Sequence, residues 1–115
     1  MKIIEDFLDK KDLQDLKTVL LDPTFPWALN DGVSYPYDGH IQFTHTIYNH
    51  DEFQSKWTLG GLDIFKEKLQ IQSLVRAKIN LLPRNDKVIE HDAHIDIPNP
   101  KDGLKTAILY VNTNN

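Results

Sequence analysis

The spacing of apolar positions changes period several times along this chain, and each change marks a predicted element. Leu13, Leu16, Val19 and Leu20 recur three and four residues apart, which predicts an amphipathic helix over 10–21. Asp9 is placed to cap it, Asp12 puts negative charge in its first turn, and Pro23 and Pro26 end it. Ahead of this helix, Ile3 and Ile4 read as the end of a short edge strand or as an N-terminal apolar anchor. From His40 to Tyr48 the period falls to two, with Ile41, Phe43, His45 and Ile47 on one face and Gln42, Thr44, Thr46 and Tyr48 on the other. Leu62, Ile64, Phe65 and Leu69 predict a second helix over 61–70, entered through Gly60-Gly61. From Ser73 the alternation returns, setting Val75, Ala77, Ile79 and Leu81 against Arg76, Lys78, Asn80 and Leu82. A turn at 83–86, a short strand at 87–90 and a loop at 98–103 follow. The last predicted strand is 104–112, where Thr106, Ile108 and Tyr110 oppose Ala107, Leu109 and Val111. Helices followed by a run of strands predict a single α+β domain over 1–115, with the two helices packed on one face of an antiparallel sheet.

Between the first helix and the first long strand, residues 22–40 are rich in Pro, Gly, Asn and Asp and read as a loop of several turns. Its load of Phe25, Trp27, Tyr35 and Tyr37 is heavy for a solvated linker. Either these rings pack the loop onto the domain, or part of it rims a pocket. His40, His45 and His50 recur every five residues, an odd spacing that turns successive members to opposite sides of a regular strand. They therefore read as one core-edge and two loop histidines rather than as a metal site.

Composition narrows the function classes. In 115 residues, 40% are hydrophobic and 26% charged, as in ordinary soluble domains. A net charge of -4 with thirteen scattered Lys and Arg offers neither a nucleic-acid footprint nor a polybasic membrane patch. The absence of cysteine excludes disulfides and thiolate metal sites. The opening Met1-Lys2-Ile3-Ile4-Glu5-Asp6 lacks the features of a signal peptide, and no apolar run is long enough to span a membrane, so a cytoplasmic location is expected.

The densest chemistry lies in Glu90-His91-Asp92-Ala93-His94-Ile95-Asp96-Ile97. If Ile95 and Ile97 face a core on a short strand, His94 and Asp96 project together from its other face. An imidazole nitrogen and a carboxylate oxygen at one point are two thirds of the 2-His-1-carboxylate triad that holds non-haem Fe(II). Three other readings compete with it. One is a helical i,i+3 pair of His91 and His94, which the flanking Val88, Ile89, Ile95, Ile97 and prolines oppose. The second is an exposed loop with incidental charge. The third is a hydrolase His/Asp dyad, for which there is neither cysteine nor a Gly-x-Ser-x-Gly elbow.

An ordered series favours iron: Ile3-Ile4-Glu5-Asp6-Phe7-Leu8 before a helix, then Arg76-Ala77-Lys78-Ile79-Asn80-Leu81, His94-Ile95-Asp96, and Thr106-Ala107-Ile108-Leu109-Tyr110-Val111-Asn112. The series resembles the 2-oxoglutarate/Fe(II)-dependent dioxygenases, in their prolyl-4-hydroxylase-like branch. The resemblance implies a partial double-stranded β-helix, or jelly roll, backed by helices. It also implies Fe(II) on His94 and Asp96, with Thr106, Tyr110 and Asn80 near the 2-oxoglutarate co-substrate. The family's distal histidine and its following basic residue have no counterpart after Asp96, where the only basic residues are Lys101 and Lys105. The expectation is therefore the N-terminal part of an oxygenase domain, inactive as it stands. The rival expectation is a non-catalytic binding or assembly domain built on half a jelly roll. Half a jelly roll leaves a sheet face and the 104–112 edge uncovered, so a homodimer or higher oligomer is expected.

Overall fold

The computed structural model describes residues 2–83 and 104–112. The described residues form a small α+β arrangement of two short helices and a four-stranded antiparallel sheet that does not close into a barrel. They fall into two compact units, residues 2–25 with 104–112, and residues 26–83.

In the first unit, α1 spans Lys10–Leu20. Asp9 stands in extended conformation ahead of it, and its carboxylate accepts from the Asp12 backbone N–H at 2.8 Å. That bond satisfies one of the donors that the first helical turn leaves without a partner, so the expected cap is the observed one. Leu8 and Leu20 are buried, whereas Ile3 and Ile4 are exposed and lie in no strand. At the other end, the Asp22 carboxylate accepts from the hydroxyl and the backbone N–H of Thr24, and both bonds hold its pKa below the ordinary value. This Asx turn stops the helix ahead of the buried Phe25.

The second unit is organised by β2, Gln42–Asn49. The short strand β1 (Ala28–Asn30) pairs with its beginning, with Ala28 opposite Thr44 and Asn30 opposite Gln42. The two-residue β3 (Glu52–Phe53) pairs with its end, with Tyr48 opposite Phe53. The fourth strand, β4 (Ala77–Leu81), runs along β2 from Phe43↔Leu81 to Tyr48↔Ala77. Since β4 overlaps both β1 and β3 at Phe43, Thr44 and Tyr48, it must occupy the opposite edge of β2. The link from β2 to β3 turns through His50 and Asp51, both in the left-handed region at φ 51° and 62°, as a two-residue hairpin turn requires.

The alternation read for β2 holds only up to Thr46. Between Thr46 and Tyr48 the register against β4 shifts by one residue. This bulge carries Tyr48 to the side of Ala77 and of Phe53, away from the Thr44 and Thr46 face. Tyr48 and Phe53 then meet edge to face, with centroids 5.3 Å apart, and the Lys66 ammonium lies 5.8 Å from the Phe53 ring centroid. Ile47, at the bulge, is 2% exposed and is the most deeply buried large side chain described.

The second helix, α2, spans Asp63–Lys68 and is entered through Leu59, Gly60, Gly61 and Leu62, all at positive φ. The glycines admit this left-handed entry without a Cβ penalty, and Leu62 is kept there by burial. Two other expectations change. Residues 28–30, read as loop, form β1, because a three-residue edge strand templated by its neighbour is too short to show a period. Residues 104–112, read as a strand, form none among the described residues, and Ile108 and Tyr110 are exposed. Alternation alone makes no strand: its N–H and C=O groups need a partner edge. The expected strand at 87–90 lies outside the described residues.

The 31–40 loop feeds β2 and is held by one carboxylate. Asp38 accepts from the backbone N–H groups of Val33 at 3.1 Å, Ser34 at 2.9 Å and His40 at 3.0 Å. Gly32 sits below it at φ 141°, where a Cβ would strike the Tyr35 carbonyl, and its own carbonyl accepts from the side chains of Asn30 and buried Gln42. Burial pushes the Asp38 carboxyl up, but the amides of Ser34, His40, Val33 and Tyr35 outweigh it and hold the pKa at about 2. A folded-state value below the unfolded one stabilises the loop at higher pH, and that contribution is lost as pH falls through the folded value. The amide resonances of Val33, Ser34 and His40 are therefore expected to stay native as the pH is lowered through 3.8 and to move together near pH 2. Movement complete by pH 3.8 would contradict this role, and Asp38→Asn should release the loop at neutral pH.

Candidate functional site

The antiparallel registers themselves open a gap in the sheet. Continuing the β1 pairing backwards brings Pro26 opposite Thr46, and continuing the β3 pairing forwards brings Ser55 opposite the same residue. Both strands run antiparallel to β2 on one edge, so β1 starts where β3 has just run out. At that junction neither completes a ladder, and an open groove of about 470 Å³ lies there. Its lining comes from three segments: Pro26 to Ala28, Thr44 to Thr46, and Gln54 to Trp57. Trp27 and Trp57 supply apolar area, and Thr46, Ser55 and Lys56 supply polar groups.

His45 is central to this groove and ties the three segments together. Its Nδ1 lies 2.7 Å from the Pro26 carbonyl oxygen, and its Nε2 lies 2.6 Å from Ser55 Oγ. A carbonyl can only accept, so Nδ1 carries the proton. In the neutral ring Nε2 is then the lone-pair nitrogen, and the Ser55 hydroxyl donates to it. Ser55 Oγ also accepts from the Trp57 backbone N–H at 2.9 Å. The position of Ser55 follows from the hairpin: the Gln54 N–H donates to the Ile47 carbonyl at 2.8 Å and extends the pairing one residue past β3.

The residues singled out from the sequence are distributed differently. His94 and Asp96 lie outside the described residues. Thr106 and Tyr110 belong to the first unit and are exposed, without the strand expected to present them. Asn80 lies on β4 opposite Thr44, exposed, on the face it shares with Lys78. The three evenly spaced histidines do not converge, and among the described residues no group of three or more His, Asp or Glu is arranged to hold a metal ion. Of the four aromatics of the 22–40 stretch, Phe25 is buried, Trp27 lines the groove, and Tyr35 and Tyr37 are exposed.

His45 was legible only as a core-edge histidine, and Ser55 carried no signal of its own. Their pairing depends on the register of β2 with β3, which no local motif records. Among the described residues no helix is long and apolar enough to cross a membrane. Comparison with protein-family models, curated proteins and solved structures found no match to this chain.

Proposed function

We propose that the chain carries the first two iron ligands, His94 and Asp96, of a 2-oxoglutarate/Fe(II)-dependent oxygenase of the hydroxylase kind, within a partial jelly roll. The observation that carries this reading is His94-Ile95-Asp96 in its place within the ordered series, after Arg76–Leu81 and before the Thr106–Asn112 run. Two structural features support the order of that series: α1 follows the Ile3-to-Leu8 stretch, and β4 forms within Arg76–Leu81. Among the described residues 104–112 forms no strand, and that part of the series gains no support.

The donor chemistry suits the metal, since one imidazole and one carboxylate are two of the three protein ligands of the facial triad. Bound iron with 2-oxoglutarate would supply the oxidising centre for a C–H bond. The part of this chain's residues is to hold and orient that metal. Residues 97–115 contain no histidine, so this stretch supplies no third protein ligand. Weak binding of Mn(II), used as an Fe(II) surrogate, is expected by calorimetry, together with loss of that binding in His94→Ala and no coupled 2-oxoglutarate decarboxylation. Tight stoichiometric binding that survives His94→Ala would overturn the assignment.

A second reading, a non-catalytic assembly domain, is favoured by a row across the sheet. Leu29, Phe43 and Leu81 stand in register on three adjacent strands, yet Leu29 is 64% and Leu81 42% exposed. Apolar side chains aligned on an open sheet suit contact with a second copy. Light scattering at micromolar concentration should then give a dimer or larger species, converted to monomer by Leu29→Lys with Leu81→Lys. A monomer in the unsubstituted chain would contradict this reading.

A further inference from the structure

We propose that Ser55 is a nucleophile activated by His45, and that the groove between β1 and β3 is an acyl-transfer site for carboxylic esters with an apolar, ring-bearing group. The proposal is independent of the iron reading and uses none of its residues. Three features carry it. The first is the serine–histidine pair, Oγ to Nε2 at 2.6 Å, within reach for direct proton transfer. The second is the fixed tautomer. The Pro26 carbonyl, 2.7 Å from Nδ1, takes the orienting part that a carboxylate plays in a catalytic triad, holding the proton on Nδ1 so that Nε2 is the accepting nitrogen. The third is placement: the pair lines an open groove flanked by Trp27 and Trp57 instead of being sealed in a core. Flat indole surfaces next to a nucleophile suit an aromatic or other apolar portion of a substrate.

The step balances within the site and its substrate. The Ser55 hydroxyl proton passes to His45 Nε2 as Oγ forms a bond to the acyl carbon. The carbonyl π electrons move to oxygen, giving a tetrahedral adduct. Collapse of that adduct breaks the bond to the leaving alcohol, which takes the proton from Nε2. Water then repeats the sequence on the acyl-serine, with His45 as base, and releases the carboxylic acid. The Trp57 N–H, 2.9 Å from Oγ, steadies the developing alkoxide, and Lys56 is a cationic residue of the groove lining.

The full chain is treated with a fluorophosphonate probe and, separately, with p-nitrophenyl butyrate. Covalent labelling that peptide mass spectrometry maps to Ser55 is expected, with ester turnover above buffer. Ser55→Ala should abolish both. His45→Gln, whose amide can still meet the Pro26 carbonyl or the Ser55 hydroxyl, should slow labelling by roughly 10²–10⁴-fold, the usual worth of a general base. Ser73→Ala, away from the groove, is the control and should label normally. Amide spectra report whether each variant keeps the β2 pairing. If a variant is unfolded, the unsubstituted chain decides through the site and rate of labelling. Labelling spread over several serines, labelling unchanged in folded His45→Gln, or none in the unsubstituted chain would overturn the proposal and leave His45 as a strut between segments.

Discussion

One strand bears the pairing on which the described sheet depends. β2 hydrogen-bonds to β1 and β3 on one edge and to β4 on the other, so the other three strands are defined by where they meet it. A three-residue and a two-residue strand have little stability of their own and exist as extensions of a longer template. The bulge between Thr46 and Tyr48 adds the local twist that brings Tyr48 against Phe53 and buries Ile47. An edge-to-face pair of this kind contributes about 0.5–1.5 kcal/mol beyond its buried area, adding to the pairing of a hairpin of only two paired residues.

The groove follows from the same constraint. β1 and β3 approach one edge of β2 from opposite ends and leave it uncovered around Thr46. A sheet edge without a partner exposes backbone groups that need hydrogen bonds. Here side chains occupy the junction: the His45 ring reaches the Pro26 carbonyl on one side and Ser55 on the other. The fold therefore joins two segments that are far apart in sequence through one imidazole, and that junction has the donor–acceptor order of a general-base site.

Much of the architecture was legible in the sequence because it is local. Asp9 capping α1, the three- and four-residue spacing through Leu20, the glycine entry to the second helix and the alternation of β4 each act within a few residues. The features that escaped depend on partners. β1 and β3 are too short to carry a period, the bulge is visible only against β4, and the 104–112 alternation meets no pairing edge among the described residues. The sites divide in the same way. His94-Ile95-Asp96 is a local motif and can be read from the residues alone, whereas His45 and Ser55 become a pair only through the register of a hairpin.

The central claim is that β2 is the shared template of the 26–83 unit, with a gap on one edge at Thr46. Amide hydrogen exchange followed residue by residue tests it most directly. Phe43, Thr44 and Tyr48 are matched on both edges, so their stretches should hold the slowest amides of the unit. Ala28–Asn30 and Glu52–Phe53 should exchange faster. Amides of Gln42–Asn49 exchanging as fast as those of the 31–40 loop would contradict the account.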